Sequence, residues 1–156
     1  MGKNSARNSF VFRGRYEHAI DDKGRLSIPA RFREILAEQR QDGFILTNFN
    51  SCLVAYPLQE WHRLEEKIRP QSSFQREVLD FLRLFYSNAT EVTLDNQGRI
   101  LIPPELRRQA ALQRAVIIVG VLNRIEIWGK ERWEQFVAER SQTFEEIASK
   151  LAELGI

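Results

Sequence analysis

Two segments of the sequence place an acidic side chain, a glycine and an arginine at the same spacing. Residues 21–29 read DDKGRLSIP and residues 95–103 read DNQGRILIP, so both follow Asp-x-x-Gly-Arg, an apolar residue, any residue, Ile and Pro. The carboxylate can accept hydrogen bonds from the amides of a tight turn and from the guanidinium that follows it. One copy alone would indicate a hairpin turn with a surface ion pair. Two copies favour a shared task for the arginines, because folding does not require the same Asp-to-Arg offset twice.

Strands must flank both segments to hold these side chains in place. Apolar residues alternate with polar ones before and after each glycine, which is typical of strands. Gly24 and Gly98 can supply the positive φ that a three-residue hairpin turn with a glycine bulge requires. The Ile-Pro at the end of each segment closes the second strand and can open a helix. The sequence therefore predicts one unit, made of strand, tight turn, strand and helix, that occurs twice.

The likeness between the two halves extends beyond the turns and indicates a duplication. An apolar strand that precedes Trp61 matches another that precedes Trp133. Two such units cannot easily cover both faces of their sheets alone, so we expect a mixed α+β fold in which they pair as one barrel with approximate twofold symmetry. The predicted segments are a flexible amino terminus with the entry to the first strand (1–14), repeat one (15–62), linker helices (63–88), repeat two (89–132) and carboxy-terminal helices (133–156).

Two of the predicted helices carry apolar stripes that are large for the small core they could pack against. In the linker, Ser72 and Gln75 resemble a capping box, and aromatic residues from Phe74 onward recur at helical spacing. In the tail, apolar residues keep helical period to the end of the chain. We expect the linker stripe to pack in the core or on a neighbouring subunit. The tail is expected to clasp the other repeat or another subunit.

Composition excludes several classes of protein. The 156 residues include 23 basic and 21 acidic side chains, a net charge of +2, so any contact with nucleic acid must be local. The only cysteine, Cys52, excludes an internal disulfide and is expected to be buried. His18 and His62 stand in no recognisable metal or nucleophile spacing. We therefore expect no enzyme activity, no metal and no cofactor. Without an apolar run long enough to span a membrane, the protein is expected to be soluble and intracellular.

The duplicated turns, the opening Phe12-Arg13-Gly14 and residues 123–128 (NRIEIW) together resemble the MraZ family of bacterial transcriptional regulators, which contain two SpoVT-AbrB-type repeats. The resemblance implies a pseudo-twofold swapped-hairpin β-barrel with peripheral helices, formed within one chain. It also implies a ring-shaped homo-oligomer in the cytoplasm, associated with the nucleoid. The implied function is sequence-specific binding of double-stranded DNA at repeated promoter elements of the division and cell wall gene cluster. No membrane and no small-molecule substrate are implied.

Carried over residue by residue, the resemblance implies a DNA-binding set in the turns. Arg25 matches the DNA-contacting arginine of the first turn, Lys23 its basic neighbour, and Arg99 the arginine of the second turn. Position 97 is Gln where the first turn has a lysine, so the second turn is a poorer basic patch.

Four further residues complete the predicted site. Asp21 and Asp95 are expected to orient the turn arginines, and Arg13 and Arg15 are expected to contact phosphates because they stand near the first turn in sequence. Two alternatives stay open at this point: an antitoxin-like regulator, and a structural module whose turns serve ring assembly. An enzyme using the two aspartates as an acid–base pair is disfavoured, because no nucleophile, metal cluster or cofactor motif accompanies them.

Overall fold

A computed structural model describes residues 10–71 and 75–156, and within them the chain forms eight strands and six α-helices. The strands are β1 Arg15–Ala19, β2 Arg25–Ser27, β3 Gly43–Phe49, β4 Cys52–Pro57, β5 Thr90–Thr93, β6 Arg99–Leu101, β7 Ala115–Val121 and β8 Arg124–Gly129. The helices are α1 Ala30–Glu38, α2 Leu58–Ile68, α3 Arg76–Ser87, α4 Pro104–Gln109, α5 Lys130–Arg140 and α6 Phe144–Glu153. The predicted flexible start over residues 1–9 and the capping Ser72 with Phe74 lie outside the described residues.

The strands pair mainly between the two repeats. Six of them form one antiparallel sheet in the order β1-β7-β8-β4-β3-β5, so each strand of repeat one has its counterpart from repeat two at the mirrored position. The remaining two, β2 and β6, pair antiparallel with each other and are called the ribbon below. Both the ribbon and the exchange of β1 and β5 join one repeat to the other. The two halves therefore fold as one body with approximate twofold symmetry.

The main core lies between the large sheet, the ribbon, α1 and α4. Leu26 and Ile100, the central pair of the ribbon, are fully buried in it. Phe32 of α1 packs edge-on against Phe12 and Tyr16, with ring centroids 5.3 Å and 5.2 Å apart. Because Leu26 and Ile100 are buried in the core, the residues before and after them on each ribbon strand point to the surface.

The outer face of the large sheet carries a second apolar cluster beneath α2, α3 and α5. Phe85 of α3 stacks on Trp61 of α2 at 5.3 Å, and Trp128 packs against Trp133 at 5.5 Å. Cys52 is buried in this cluster, as predicted, and burial raises the pKa of its thiol far above the ordinary value. A thiol in that state is a packing residue and not a nucleophile.

The predicted mixed α+β class and the two repeats are confirmed, but a closed barrel is not. Among the described residues, β1 and β5 are the edges of the six-stranded sheet, and the ribbon pairs only with itself. β1 and β2 are joined at their turn by the bond from Asp21 N–H to the Arg25 carbonyl, and β5 and β6 by that from Asp95 N–H to the Arg99 carbonyl, but in the described part of the chain neither pair forms a ladder, so the sheet does not close. The sequence pattern predicted the strands but could not show where hydrogen bonding between them stops.

Candidate nucleic-acid interface

The first Asp-to-Arg segment forms a tight turn between β1 and β2. Asp21 N–H donates to the Arg25 carbonyl and Gly24 N–H donates to the Asp21 carbonyl, both at 3.0 Å. Asp21 Oδ1 accepts from the backbone amides of Lys23 and Arg25 at 2.9 Å, and Oδ2 accepts from Arg25 Nε at 2.6 Å. One carboxylate therefore fixes the backbone of the turn and one edge of the guanidinium.

The second turn repeats this arrangement. Asp95 Oδ1 accepts from the amides of Gln97 and Arg99 at 2.9 Å, and Oδ2 accepts from Arg99 Nε at 2.8 Å. The turn glycines have φ of +85° at Gly24 and +76° at Gly98, the left-handed conformation that the sequence predicted. In both turns the carboxylate uses Nε, and a guanidinium has further N–H donors on its Nη atoms that a ligand can accept from.

The ribbon brings the two turn arginines onto one surface. Arg25 lies opposite Leu101 and Arg99 lies opposite Ser27, so the arginines are diagonal neighbours about 7–8 Å apart. Since side chains alternate along a strand and the central pair points into the core, these four residues form the outer face of the ribbon. The side chains of Arg25 and Arg99 are 33% and 24% exposed, partly sheltered by their aspartates and partly open to solvent.

Each turn also carries an arginine from the other repeat, which the sequence analysis missed. The side chain of Arg33, from α1, lies over Gly98 so closely that a Cβ added there would be 2.5 Å from its Cδ, and its Nε donates to the Ile28 carbonyl at 3.0 Å. Arg107, from α4, covers Gly24 in the equivalent position. Both arginines stand at the same offset after their turn arginine, and this equal spacing was the available sequence signal. Each turn is thus a composite of both repeats.

The other predicted site residues lie in two different places. Lys23 is exposed on the first turn, where the second turn has the uncharged Gln97. Arg15, at the start of β1, lines a groove with Ile117 and Trp133 on the outer face of the large sheet, whereas the ribbon covers the opposite face. Arg13 precedes β1 and lies still farther along the chain from the first turn. The structure therefore groups Lys23 with the ribbon but does not bring Arg13 and Arg15 to it.

The turn aspartates are strongly acidic. The hydrogen bond from the backbone N–H of Arg25 is the main cause that lowers the pKa of Asp21 to about 2. Partial loss of hydration raises this pKa, whereas hydrogen bonds from the Arg25 side chain and the Lys23 amide lower it further. The corresponding bond from the backbone N–H of Arg99 lowers the pKa of Asp95. Both carboxylates therefore stay ionised at neutral pH and keep their guanidinium groups oriented.

We expect the pKa of Asp21, followed by NMR titration of its carboxyl group, to be near 2 in the wild type and to rise only in part in Arg25→Ala. The alanine keeps the backbone N–H that contributes most to the shift. Because the folded-state pKa lies below the unfolded value of about 3.9, the stabilisation is present above pH ~4 and is lost as pH falls towards 2. Asp95 is the internal control and should be unchanged by the substitution. A pKa of Asp21 at its ordinary value in the wild type would contradict the observed hydrogen bonding.

The described ranges contain no group of three or more His, Cys, Asp or Glu side chains placed to hold a metal ion. None of the helices found there is both long enough and apolar enough to cross a membrane. What the ribbon presents is instead a pair of oriented guanidinium groups on its outer face. Such groups recognise carboxylates, phosphates and the edges of guanine bases.

Comparison with known proteins agrees with the duplication. The family model described as "MraZ protein, putative antitoxin-like" matches the chain twice, over residues 11–84 and 85–154. Curated relatives named "Transcriptional regulator MraZ" are similar over almost their whole length. The chain is 47% identical to the protein of Alkaliphilus metalliredigens (strain QYMF) over 147 residues, and 45% identical to that of Moorella thermoacetica (strain ATCC 39073 / JCM 9320) over 147 residues. Each match covers 94% of this chain and 100% of the relative. The chain therefore belongs to the MraZ family.

Proposed function

We propose that this protein is a transcriptional regulator that binds double-stranded DNA through the outer face of the ribbon. The observation that carries the proposal is the pair of aspartate-held arginines, Arg25 and Arg99, which the fold places side by side on one surface. The name that the relatives carry, transcriptional regulator, supports the same function.

The shape of the ribbon suits the major groove of DNA. That groove admits a two-stranded β-ribbon, and arginine pairs with the O6 and N7 atoms of guanine through two hydrogen bonds. The diagonal separation of Arg25 and Arg99, about 7–8 Å, is close to two base steps of ~3.4 Å. Because the two arginines are related by an approximate twofold axis, we propose that they contact bases on opposite strands.

The remaining cations of the turns are suited to phosphate contacts. Lys23 is exposed on the first turn, and Arg33 and Arg107 lie against the turn glycines. Phosphate contacts fix the position of a protein on DNA and supply most of its non-specific affinity. Since Gln97 replaces lysine in the second turn, we propose that the first turn contributes more of this affinity than the second.

A ring of copies would strengthen such binding. We propose that the exchanged strands enclose the core as a swapped-hairpin fold, and that copies assemble into a ring in the cytoplasm, associated with the nucleoid. The ring would bind repeated promoter elements of the division and cell wall gene cluster. One subunit offers few contacts, but several turns presented to spaced DNA repeats gain affinity through effective concentration. Family resemblance supports these finer points.

The proposal is tested by fluorescence anisotropy with a duplex from the protein's own upstream region and a scrambled duplex of equal composition. We expect wild-type binding to be tight, to prefer the native sequence and to weaken steeply with salt. Equal binding to both duplexes would reject sequence-specific regulation. In that case a structural module, with turns that serve contacts between copies, becomes the better interpretation.

We expect Lys23→Gln, which makes the first turn resemble the second, to weaken binding to the native and the scrambled duplex by the same factor. Loss of one phosphate contact should also reduce the slope of log K against log salt by about 0.9. The measurement is an anisotropy titration over a salt series. Lys67→Gln is the matched control, because Lys67 is exposed on α2, against the other face of the sheet. An unchanged salt slope would exclude Lys23 as a phosphate contact.

A further inference from the structure

The outer face of the large sheet is covered differently in the two repeats. In repeat one, α3 returns across the sheet, where Phe85 is buried against Trp61 and its carbonyl accepts from the Thr47 hydroxyl at 2.7 Å. The Tyr86 hydroxyl also donates to Glu65 of α2 at 2.9 Å. The helix is therefore held between β3 and α2 by both apolar packing and hydrogen bonds.

The corresponding helix of repeat two, α6, does not return. Residues 69–75 separate α2 from α3, whereas only Ser141–Thr143 separate α5 from α6. These three residues form a 3₁₀ turn, and the backbone at Arg140, Ser141 and Phe144 keeps right-handed helical angles, so the chain runs on from α5 into α6 instead of folding back over the sheet. As a result, α6 buries none of its residues, and its apolar side chains stay exposed on one face. They are Phe144 (68% exposed), Ile147 (45%), Leu151 (40%) and, just past the helix, Leu154 (75%).

A groove lies in repeat two where α3 sits in repeat one. It is bounded by β1, β7 and α5, and we call it the β1–α5 groove. β7 and α5 are the counterparts of β3 and α2, and Trp133 in this groove is the counterpart of Trp61. Its apolar surface is formed by Ile117, Trp133, Val137 and Ala138. Both repeats thus have a surface that can accept a helix, but within the described residues a helix covers it only in repeat one.

We propose that α6 of a second copy of this chain occupies the β1–α5 groove, in the position that α3 takes in repeat one. The proposal rests on the ring assembly proposed above and assigns its contact surfaces. The donor helix and the acceptor groove are different surfaces, so each copy makes two contacts. Heterologous contacts of this kind propagate from copy to copy and produce a ring when the rotation closes.

Charge and area both fit a second copy. On the groove rim Lys130 pairs with Glu17 at 3.2 Å, while Arg15 has no ion pair among the described residues and Glu134 lies on the α5 side. Outside its apolar stripe, α6 carries three glutamates and Lys150. Along the edges of the docked helix, a glutamate can pair with Arg15 and Lys150 can pair with Glu134. Burying the apolar face of α6 together with the groove removes on the order of 1,000 Å² from solvent, near the lower limit for a specific interface. The acidic character of α6 also makes it unsuited to DNA.

The test uses one variant that disables each surface. Leu151→Glu places a charge on the apolar face of α6 and leaves the groove intact, and Ala138→Glu does the reverse. Both positions are at least partly exposed, and unchanged circular dichroism and melting would verify folding. By light scattering without DNA, we expect each variant to have the mass of a single 18.3 kDa chain and the equimolar mixture to form a dimer. The dimer arises because one variant contributes an intact helix and the other an intact groove.

Several outcomes would overturn the proposal. An oligomeric Ala138→Glu would mean that the groove is not the acceptor, and a monomeric mixture would mean that the intact helix of one variant does not bind the intact groove of the other. Leu84→Glu is the matched control: Leu84 is 70% exposed on α3, and its substitution should leave the oligomer intact. Dissociation by Leu84→Glu but not by Ala138→Glu would make α3 the acceptor. A monomeric wild type would reject the ring and this interface, whereas salt-dependent DNA binding by monomeric Leu151→Glu would leave the function of the ribbon standing.

Discussion

Replacing Arg25 by alanine is expected to weaken binding to the native promoter duplex by roughly 10- to 100-fold and to reduce its preference over scrambled DNA. A bidentate arginine–guanine contact contributes about 1–3 kcal/mol of discrimination. Folding should be preserved, because the exposed ion pair with Asp21 contributes at most about 1 kcal/mol and the backbone hydrogen bonds of the turn remain. The measurement is fluorescence anisotropy, after light scattering has shown that both proteins have the same oligomer mass.

Two substitutions make this result specific. Arg83→Ala removes a cation of the same type from the exposed side of α3, where it pairs with Asp80, and should leave DNA binding unchanged. Arg99→Ala removes the diagonal partner on the ribbon and should weaken binding as well. If Arg25→Ala bound DNA as tightly as the wild type, the first turn would not be the contact that we propose.

We expect Gly98→Ala to lower the free energy of unfolding by about 1.5–3.5 kcal/mol. An alanine at φ +76° costs about 1–2 kcal/mol, and its Cβ would lie 2.5–2.8 Å from the flexible side chain of Arg33, whose displacement costs about 0.5–1.5 kcal/mol through one lost hydrogen bond. Relief of the overlap requires Arg33 to move and to lose its bond to the Ile28 carbonyl. Chemical denaturation at one fixed protein concentration measures the change, since assembly also contributes to stability.

Other glycines provide the matched comparison. Gly155 has φ +83° but no atom within 4 Å of an added Cβ, so Gly155→Ala should have a small effect at the end of the chain. At Gly24 the guanidinium of Arg107 is 3.1 Å away, and Gly24→Ala should be intermediate. The expected order of destabilisation is Gly98, Gly24, Gly155. A smaller loss of stability at Gly98 than at Gly24 would show that the close contact with Arg33 does not determine the cost of an added Cβ in this turn.

The turns and their flanking elements were predictable from sequence because their causes are local. A glycine that must adopt positive φ, an aspartate within reach of turn amides and alternating apolar residues all act over a few positions. The predicted hydrogen bonds of the turns, the strands on either side, the helix after Ile28-Pro29 and the burial of Cys52 are present in the structure. The duplication was also visible, since it depends only on comparing the chain with itself.

Pairings between distant segments were not predictable in the same way. The ribbon joins β2 to β6 across the two repeats, and only that register shows that Arg25 and Arg99 share a surface. Arg33 and Arg107 reach the turn of the opposite repeat, a contact that no local pattern shows. The apolar stripe of α6 was recognised, but the consequence of its short link to α5 depends on where the sheet lies. Arg13 and Arg15 are near the first turn in sequence but not in the extended geometry of β1.

The outer face of the ribbon can be tested directly by crosslinking to DNA. Ser27→Cys places a thiol on that face opposite Arg99, and the only native cysteine, Cys52, is buried. With a photoactivatable reagent on the new thiol, we predict efficient crosslinking to the native duplex that excess unlabelled duplex suppresses. Ser87→Cys, at the exposed end of α3 on the other side of the sheet, should give little crosslinking. Crosslinking from Ser87→Cys but not from Ser27→Cys would contradict the assignment of the ribbon as the DNA-binding surface.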